Sequence, residues 1–203
     1  MRIIAGRLKG RRIASPSWEG LRPTSDRLRE SLFNVLAPRI EGARVLDVFA
    51  GTGALGFEAL SRDAAHVVFV DADSRATAAI ARTASAWGVE EGYTIHAGDA
   101  VEWLRRLAHG PRFDLILLDP PYSLPQLRDA LDAAAGCLSG EGVLVLERAT
   151  RREPDDVESL ERVRDLRAGD STLTFYKPRL RGREAPAPAP KDRGQRRSDD
   201  EPL

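Results

Sequence analysis

The central part of the chain, residues 40–178, alternates short apolar runs with stretches in which apolar side chains recur at helical spacing. The short runs predict strands, and the helical spacing predicts helices. The predicted strands are Arg44–Phe49, Val67–Asp71, Tyr93–His96, Phe113–Asp119 and Val143–Glu147. The predicted helices are Ala54–Ser61, Ser74–Trp87, Ala100–Ala108 and Leu124–Cys137. Because several strands are almost continuously apolar, the pattern indicates an α/β fold with a parallel sheet covered on both faces.

The start of the chain has a different pattern. In Arg2–Ala14 short apolar pieces are separated by arginines and glycines, which predicts a small basic β-hairpin with its turn at residues 8–10. A loop over Ser15–Gly20 follows, and Thr24 or Ser25 can then cap a helix. That helix has one apolar face and stops at Pro38; the face consists of Leu28, Leu32, Val35 and Leu36. We therefore expect an extension of hairpin plus helix over residues 1–39.

The end of the chain is again distinct. Leu160–Leu166 and Ser171–Tyr176 alternate in side-chain character and are joined by residues 168–170, which predicts a closing β-hairpin. Beyond Pro178, alanine–proline repeats and charged residues offer nothing that could bury a core. The sequence thus predicts three parts: the extension, a domain over residues 40–178, and a disordered tail over residues 179–203.

Charge is distributed unevenly, although the formal net charge of the 203 residues is zero. Residues 1–39 hold nine basic and three acidic side chains, and the body of the chain is correspondingly acidic. A basic arm on an acidic body suggests a polyanionic partner, the alternative being a solubilising extension. The hairpin residues expected to contact such a partner are Arg7, Lys9, Arg11 and Arg12.

Other function classes are disfavoured by composition. Cys137 is the only cysteine, so neither a disulfide framework nor a cysteine-based zinc site is expected. His66, His96 and His109 lack the spacing of a metal site, and we expect no metal. The first residues lack the apolar core of a signal peptide, and no apolar run is long enough to span a membrane, so we expect a cytoplasmic protein.

A glycine-rich turn follows the first predicted strand. Gly51, Gly53 and Gly56 fit the spacing of a dinucleotide-binding turn, with Asp71 at the end of the next strand. Asp47 argues against a dinucleotide, because its carboxylate would lie beside the pyrophosphate. An opposite charge is favourable there, and S-adenosylmethionine carries both an amino group and a sulfonium. The sequence therefore predicts S-adenosylmethionine as the cofactor.

Further cofactor contacts are expected where the next strands end, since ligands of open α/β sheets bind beyond those ends. Asp71 is placed to accept hydrogen bonds from the ribose hydroxyls. Asp99 could accept from the adenine amino group, but it is about as well explained as a helix cap. The complete set of expected cofactor-binding residues is Asp47, Ala50, Gly51, Gly53, Asp71, Asp99 and Ala100.

The strand Phe113–Asp119 ends in Asp119-Pro120-Pro121-Tyr122. Two prolines remove two amide donors, so the turn presents the Asp119 carboxylate and the Pro120 carbonyl as acceptors, with the ring of Tyr122 as a flat wall. Acceptors beside an aromatic face suit a planar exocyclic amino group, which is a poor nucleophile until hydrogen bonds favour its pyramidal form. The alternative is a proline turn that only ends a core strand.

These motifs resemble a known family. The glycine turn with Asp47 looks like motif I of class I S-adenosylmethionine-dependent methyltransferases, and Asp119–Tyr122 looks like their motif IV for amino methylation. The N-terminal residues Arg2–Ile13, the block of residues 22–34 and the ending at residues 169–173 resemble the bacterial 16S rRNA guanine-N2 methyltransferases of the RsmD type. The four-residue motif alone is shared with DNA adenine-N6 methyltransferases and, in an Asn-first form, with glutamine-N5 protein methyltransferases.

The resemblance implies a Rossmann-like class I methyltransferase fold with a seven-stranded, mostly parallel sheet and an antiparallel last strand. It implies an enzyme that methylates N2 of a guanine in 16S rRNA, within the 30S subunit or an assembly intermediate. We expect the enzyme to be a monomer. Asp119 and Pro120 would hold the amino group, and Tyr122 would stack on the base. Further RNA contacts are expected from Arg22, Thr24 and Arg29. The alternatives left open are a DNA adenine-N6 methyltransferase and a non-catalytic RNA-binding assembly factor with a vestigial cofactor fold.

Overall fold

A computed structural model describes residues 1–14, 26–107, 110–153 and 155–179. The helices are α1 (Asp26–Leu36), α2 (Ala54–Ser61), α3 (Ser74–Trp87), α4 (Ala100–Leu107) and α5 (Leu127–Ala135), and a 3-10 turn at Ala37–Arg39 follows α1. The strands are β1 (Arg44–Val48), β2 (His66–Asp71), β3 (Tyr93–Ala97), β4 (Phe113–Leu118), β5 (Leu138–Ala149), β6 (Leu160–Ala168) and β7 (Ser171–Pro178). The expected loop Ser15–Gly20 and the tail beyond Arg179 lie outside the described residues.

The seven strands form one sheet in the order β3-β2-β1-β4-β5-β7-β6. β1 to β5 are parallel, whereas β7 is inserted between β5 and β6 and runs antiparallel to both. The predicted α/β class, the antiparallel last strand and the closing hairpin are confirmed. The strand order reverses between β1 and β4, which makes their carboxyl ends the switch point where ligands of such sheets bind.

The apolar strands are covered on both faces, as their composition requires. On β1, Val45 faces a core cluster that holds Phe57 of α2, Ile80 of α3 and the apolar face of α1. Its neighbour Leu46 faces a second cluster built with α4 and α5. The sheet therefore separates two cores, and each strand needs apolar side chains in both directions.

Most element boundaries lie within two residues of the prediction, and two differ by three residues or more. β5 begins at Leu138 and not at Val143, because residues 139–142 extend the strand past an irregularity opposite Phe113–Leu115 without an apolar pattern to reveal it. α5 begins at Leu127, since the Leu124 N–H donates to the Pro121 carbonyl (2.8 Å) and closes a turn first.

The N-terminal hairpin is built around one bridge between Arg2 and Arg12. The Gly10 N–H donates to the Ile3 carbonyl (2.9 Å), and the Ile3 N–H donates to the Arg11 carbonyl (3.0 Å), so the predicted antiparallel pairing is present in short form. Its apolar side chains belong to the core of the sheet and do not form a core of their own: Ile3, Leu8 and Ile13.

Helix α2 anchors the hairpin through two buried polar residues. Glu58 accepts hydrogen bonds from the N–H groups of Ile4 (2.8 Å) and Ala5 (3.1 Å). The Ser61 hydroxyl accepts from the Leu8 N–H (2.9 Å). At Gly6 a side chain would collide with the Ser61 carbonyl, since a Cβ would lie 1.7 Å from that oxygen. This close docking places the hairpin at the C-terminal end of α2.

Two features are absent from the described residues. Among them no helix has the length and apolar character needed to cross a membrane. The same residues contain no cluster of histidine, cysteine, aspartate and glutamate suited to a metal ion.

Candidate active site

The turn after β1 has an unusual backbone. Phe49, Gly51 and Gly53 all have positive φ angles, of 62°, 54° and 76°. A positive φ is strained for a bulky residue such as Phe49, and the sequence carried no signal for it. The turn is held to β2, because the Ala50 N–H donates to the Val70 carbonyl (3.1 Å). The chain then enters α2 directly after Gly53.

Asp47 of β1 lies under the start of α2. Its Oδ2 accepts a hydrogen bond from the Gly56 N–H (2.9 Å), one of the first-turn amides of that helix. The carboxyl group is 1% exposed, and burial raises its pKa to about 8, with Asp71 adding to the rise and the Gly56 bond opposing it. A dinucleotide would place its pyrophosphate on a helix N-terminus of this kind. Here a carboxyl group of the chain already accepts from that terminus, which disfavours a pyrophosphate at this position.

The last two glycines of the motif serve packing. A Cβ at Gly56 would lie 2.2 Å from Cε1 of Phe69, so α2 could not approach β2 with any larger residue there. A Cβ at Gly53 would lie 2.9 Å from Cγ1 of Ile80 on α3. The positive φ of Gly53 and this contact mean that the fold itself requires a glycine at this position. The close approach of a ligand, which the sequence predicted, would be a second reason for it.

Asp71, at the end of β2, shapes two neighbouring turns. Its Oδ2 accepts from the Gly51 N–H (2.7 Å), and its Oδ1 accepts from the Asp73 N–H (2.8 Å). It is partly exposed, and an ionised carboxylate has about four acceptor positions, so it can accept from ligand hydroxyls as well. The residue therefore links the glycine turn to the next strand end.

Asp99 follows β3 and caps α4. Its Oδ1 accepts from the Glu102 N–H (2.8 Å), which is the capping role that the sequence left open beside a cofactor contact. Asp99 is exposed and has further acceptor capacity, while Ala100 beside it is buried as the first residue of α4.

The donor and acceptor chemistry of this edge fits S-adenosylmethionine. Asp47, Asp71 and Asp99 lie at or beside the carboxyl ends of three neighbouring strands, β1, β2 and β3. All three are carboxyl acceptors. The proposed ligand presents an amino group, a positive sulfur, two ribose hydroxyls and an adenine amino group, which are cationic or donating groups.

The turn at Asp119 begins level with the glycine turn. β4 pairs with β1 in parallel, with Leu118 opposite Val48, and the Asp119 N–H donates to the Val48 carbonyl (3.4 Å). Paired strands lie about 4.8 Å apart, so the two turns leave the sheet side by side. Asp119 is partly exposed and Pro120 is buried. The structure thus brings together the two motifs that the sequence presented about seventy residues apart.

Tyr122 is held by residues that the sequence did not single out individually. Its hydroxyl lies 2.8 Å from Oγ of Ser171, and Nη1 of Arg152 donates to its carbonyl (3.1 Å). Ser171 belongs to the C-terminal block that resembles the RsmD type, but its distance along the chain concealed the contact. No sequence signal pointed to Arg152.

The basic hairpin lies at the opposite end of the sheet, where the parallel strands begin. The Arg7 guanidinium donates to the Leu60 carbonyl (3.2 Å) and lies 4.0 Å from Asp63. Arg11 donates to the Trp87 carbonyl (2.6 Å) at the end of α3. These contacts are where the chain enters β2 and β3, so the hairpin tip is about one strand length, roughly 17–20 Å, from the carboxyl edge.

The other expected RNA contacts divide into three groups. Lys9 and Arg12 are exposed on the hairpin. Arg29 has 0% exposure and donates through Nη2 to the Arg2 carbonyl, which conflicts with a direct RNA contact and makes it an anchor between α1 and the hairpin. Arg22 and Thr24 lie outside the described residues.

Comparison with known proteins places these features in a family. The family model described as "Conserved hypothetical protein 95" matches residues 1–177. The ribosomal RNA small subunit methyltransferase D of Escherichia coli K12 is 35% identical over 149 residues, which are 72% of this chain and 74% of that protein. The chain therefore covers most of the length of that relative.

Solved structures agree with this result. A hypothetical protein of Thermus thermophilus superposes with a TM-score of 0.73 at 29% identity, over 87% of this chain and 99% of that one. A SAM-dependent methyltransferase of Agrobacterium tumefaciens gives a TM-score of 0.56 at 25% identity, over 66% of this chain and 47% of that one. The chain belongs to the family described as "Conserved hypothetical protein 95", and its similarity to the Escherichia coli methyltransferase D confirms the resemblance to the RsmD-type methyltransferases.

Proposed function

We propose that this protein transfers a methyl group from S-adenosylmethionine to the exocyclic N2 of a guanine in 16S rRNA. The observation that carries the proposal is the adjacency of two turns at the carboxyl edge of β1 and β4. One is lined by carboxyl groups that suit the cofactor, and the other presents acceptors and an aromatic ring that suit a base. Membership of a family with rRNA methyltransferases supports the choice of substrate.

The residues of the second turn would act on the base. The Asp119 carboxylate and the Pro120 carbonyl accept hydrogen bonds from the exocyclic amino group, which moves its nitrogen lone pair out of conjugation with the ring. Tyr122 stacks on the base once it has left its helix. S-adenosylmethionine supplies an electrophilic methyl group on a positive sulfur. Most of the rate enhancement then comes from positioning the two reactants.

The residues of the first turn would bind the cofactor. Asp47 provides negative charge next to the cationic part of the ligand once the ligand has displaced its proton, and Asp71 accepts from the ribose hydroxyls. The Asp99 carboxylate uses one acceptor position to cap α4, and it accepts from the adenine amino group with another. The remaining expected contacts come from backbone that the turns bring close: Ala50, Gly51, Gly53 and Ala100.

The RNA would reach two edges of the sheet. Residues 1–39 serve as an RNA-binding extension through Arg7, Lys9, Arg11 and Arg12, and residues 40–178 form the catalytic domain. A substrate that contacts the hairpin and also places a base at Asp119 must extend over roughly 17–20 Å of protein. A folded RNA within the 30S subunit or an assembly intermediate meets that requirement. The enzyme would act as a monomer in the cytoplasm, where its ribosomal substrate is found.

The test is methylated-nucleoside mapping of 16S rRNA from cells with and without the gene. We expect one N2-methylguanosine to disappear on deletion and to return with the wild-type gene but not with the Asp119→Ala variant. Loss of N6-methyladenine from DNA would instead establish the DNA alternative. An unchanged nucleoside pattern, together with no heat on titration with S-adenosylmethionine, would establish the non-catalytic assembly factor.

A further inference from the structure

The hydroxyl of Tyr122 lies beside a serine that follows it by forty-nine positions in the chain. Ser171 is the first residue of β7, and its Oγ lies 2.8 Å from the Tyr122 hydroxyl oxygen. On the proposed function, Tyr122 stacks on the target guanine, and the inference rests on that role. We propose that Ser171 is a positioning residue that orients the ring of Tyr122 for the target base, with Arg152 holding the backbone of the same residue.

Ser171 can act in this way because it stands on a rigid platform. The Thr150 N–H donates to the Asp170 carbonyl (2.8 Å), and the Thr150 hydroxyl lies 3.2 Å from the Gly169 carbonyl and 2.9 Å from the Thr172 hydroxyl. These bonds tie the β6–β7 turn to the end of β5. Ser171 itself pairs with Ala149 in the sheet. The backbone that carries its hydroxyl is therefore fixed by the sheet and not by a ligand.

Arg152 connects the same platform to the backbone of the turn. Its Nη1 donates to the Tyr122 carbonyl (3.1 Å), and its own carbonyl accepts from the Arg148 guanidinium. Arg148 is 3% exposed and is held by Asp165 (3.0 Å) and the Thr174 hydroxyl (2.9 Å). A continuous set of hydrogen bonds thus leads from β6 and β7 to the backbone of Tyr122.

These hydrogen bonds affect how a base can stack on Tyr122, because they set the orientation of its ring. A tyrosine ring turns about two side-chain bonds, and a base stacks well on only one range of ring orientations. Holding the ring at its hydroxyl and the residue at its carbonyl selects that range in advance, so less freedom is lost when the base arrives. One hydrogen bond of this kind corresponds to about a threefold to tenfold effect.

The first experiment measures methyl transfer to 30S subunits isolated from cells that lack the gene. Ser171→Ala should lower kcat/KM for the subunits about threefold to tenfold and leave KM for S-adenosylmethionine unchanged. Ser171→Thr, which keeps a hydroxyl on a strand residue, should restore most of the activity. Tyr122→Phe should make the activity insensitive to the residue at position 171, so that adding Ser171→Ala to this variant has no further effect.

Ser139→Ala is the matched control. Its hydroxyl donates to Oδ1 of Asp114 (3.1 Å) at the opposite edge of the sheet, so the same substitution removes a hydrogen bond far from Tyr122. We expect wild-type kinetics from it. Equal losses in Ser139→Ala and Ser171→Ala, or full activity in Ser171→Ala, would overturn the positioning role.

A spectroscopic measurement separates this inference from the proposed function. The chain has three tyrosines, so tyrosine labelled with carbon-13 at Cζ gives three signals. Ser171→Ala should shift the Tyr122 signal and leave those of Tyr93 and Tyr176 in place; an unmoved Tyr122 signal would overturn the inference. A wild-type enzyme that leaves every rRNA unmethylated would refute the proposed function whatever the spectrum shows.

Discussion

Two turns meet at the carboxyl edge of the sheet, and they are held in different ways. The glycine turn is held by residues close to it in the chain: Gly56 donates to Asp47, nine positions away, and Gly51 donates to Asp71, twenty positions away. The turn at Tyr122 is held by Arg152 and Ser171, which follow it by thirty and forty-nine positions. One turn is built within a single strand–helix–strand unit, and the other depends on the antiparallel hairpin.

The two turns also differ in exposure. Asp47 is buried beneath α2, whereas Asp119 and Tyr122 are partly exposed. A small cofactor can reach a site whose deepest carboxyl group is buried. A base that belongs to a large RNA needs an acceptor turn at the surface, and such a turn needs support from elsewhere in the fold. The difference thus matches the two kinds of ligand proposed for the two turns.

The largest expected effect is on the exposed turn. Asp119→Ala removes a hydrogen-bond acceptor for the reacting amino group and should lower kcat about 10²- to 10³-fold, the size found when one preorganised transition-state contact is lost. Binding of S-adenosylmethionine, measured by calorimetry, should stay at the wild-type level. The control is Asp129→Ala, which removes an exposed carboxylate paired with Arg105 on the helical surface. Equal activity of the Asp119 variant and the control would contradict the assigned role.

The next effect concerns the packing of the glycine turn. Gly56→Ala places a methyl group 2.2 Å from the Phe69 ring and should lower the free energy of unfolding by about 1–3 kcal/mol. Denaturant unfolding measures it. Gly140→Ala is the control, because a Cβ there meets no atom within 4 Å. If the two variants were equally stable, Gly56 would have to be explained through the ligand and not through packing.

A third prediction concerns pH and Asp47. Burial raises its pKa to about 8, so its carboxyl group is protonated at neutral pH, and a cationic ligand must displace that proton. Affinity for S-adenosylmethionine should therefore rise with pH below about 8, by at most about tenfold per unit. Calorimetry in buffers of different ionisation enthalpy should detect the released proton. Asp47→Asn should abolish the proton release; if it persists, another group must be its source.

The same shift affects stability in the absence of ligand. Between the ordinary pKa of 3.8 and about 8 the folded protein keeps a proton on Asp47 that the unfolded chain has lost. The contribution of this group to the free energy of unfolding therefore falls as pH rises through that window. Comparing wild type with Asp47→Asn by thermal unfolding at several pH values isolates the contribution, which the variant should lack.

The smallest effect is expected at the far edge of the sheet. Lys9→Ala and Arg12→Ala each remove one exposed charge from the hairpin. Each should lower the slope of log affinity for RNA against log salt concentration by roughly 0.7–0.9, as loss of one phosphate contact does. Filter binding over a series of salt concentrations measures the slope. An unchanged slope in both variants would remove the hairpin from the RNA interface.

The sequence by itself determined the order of the elements, the two motifs and the fold class. These depend on periodicity and on residues within a few positions of one another, such as the glycines that admit a tight turn or the prolines that remove amide donors. The boundary of β5 escaped prediction because residues 139–142 pair without an apolar pattern. The resemblance to the RsmD type followed from the same local blocks and was confirmed by the family comparison.

Only the tertiary structure decided which distant residues meet. Burial of Arg29 against the Arg2 carbonyl, docking of the hairpin on Glu58 and Ser61, and the bond between Tyr122 and Ser171 all join separate parts of the chain. The sequence does not distinguish an arginine that donates to a backbone carbonyl from an arginine that contacts RNA. The placement of the element that carries each side chain determines its role, and that placement depends on packing across the whole sheet.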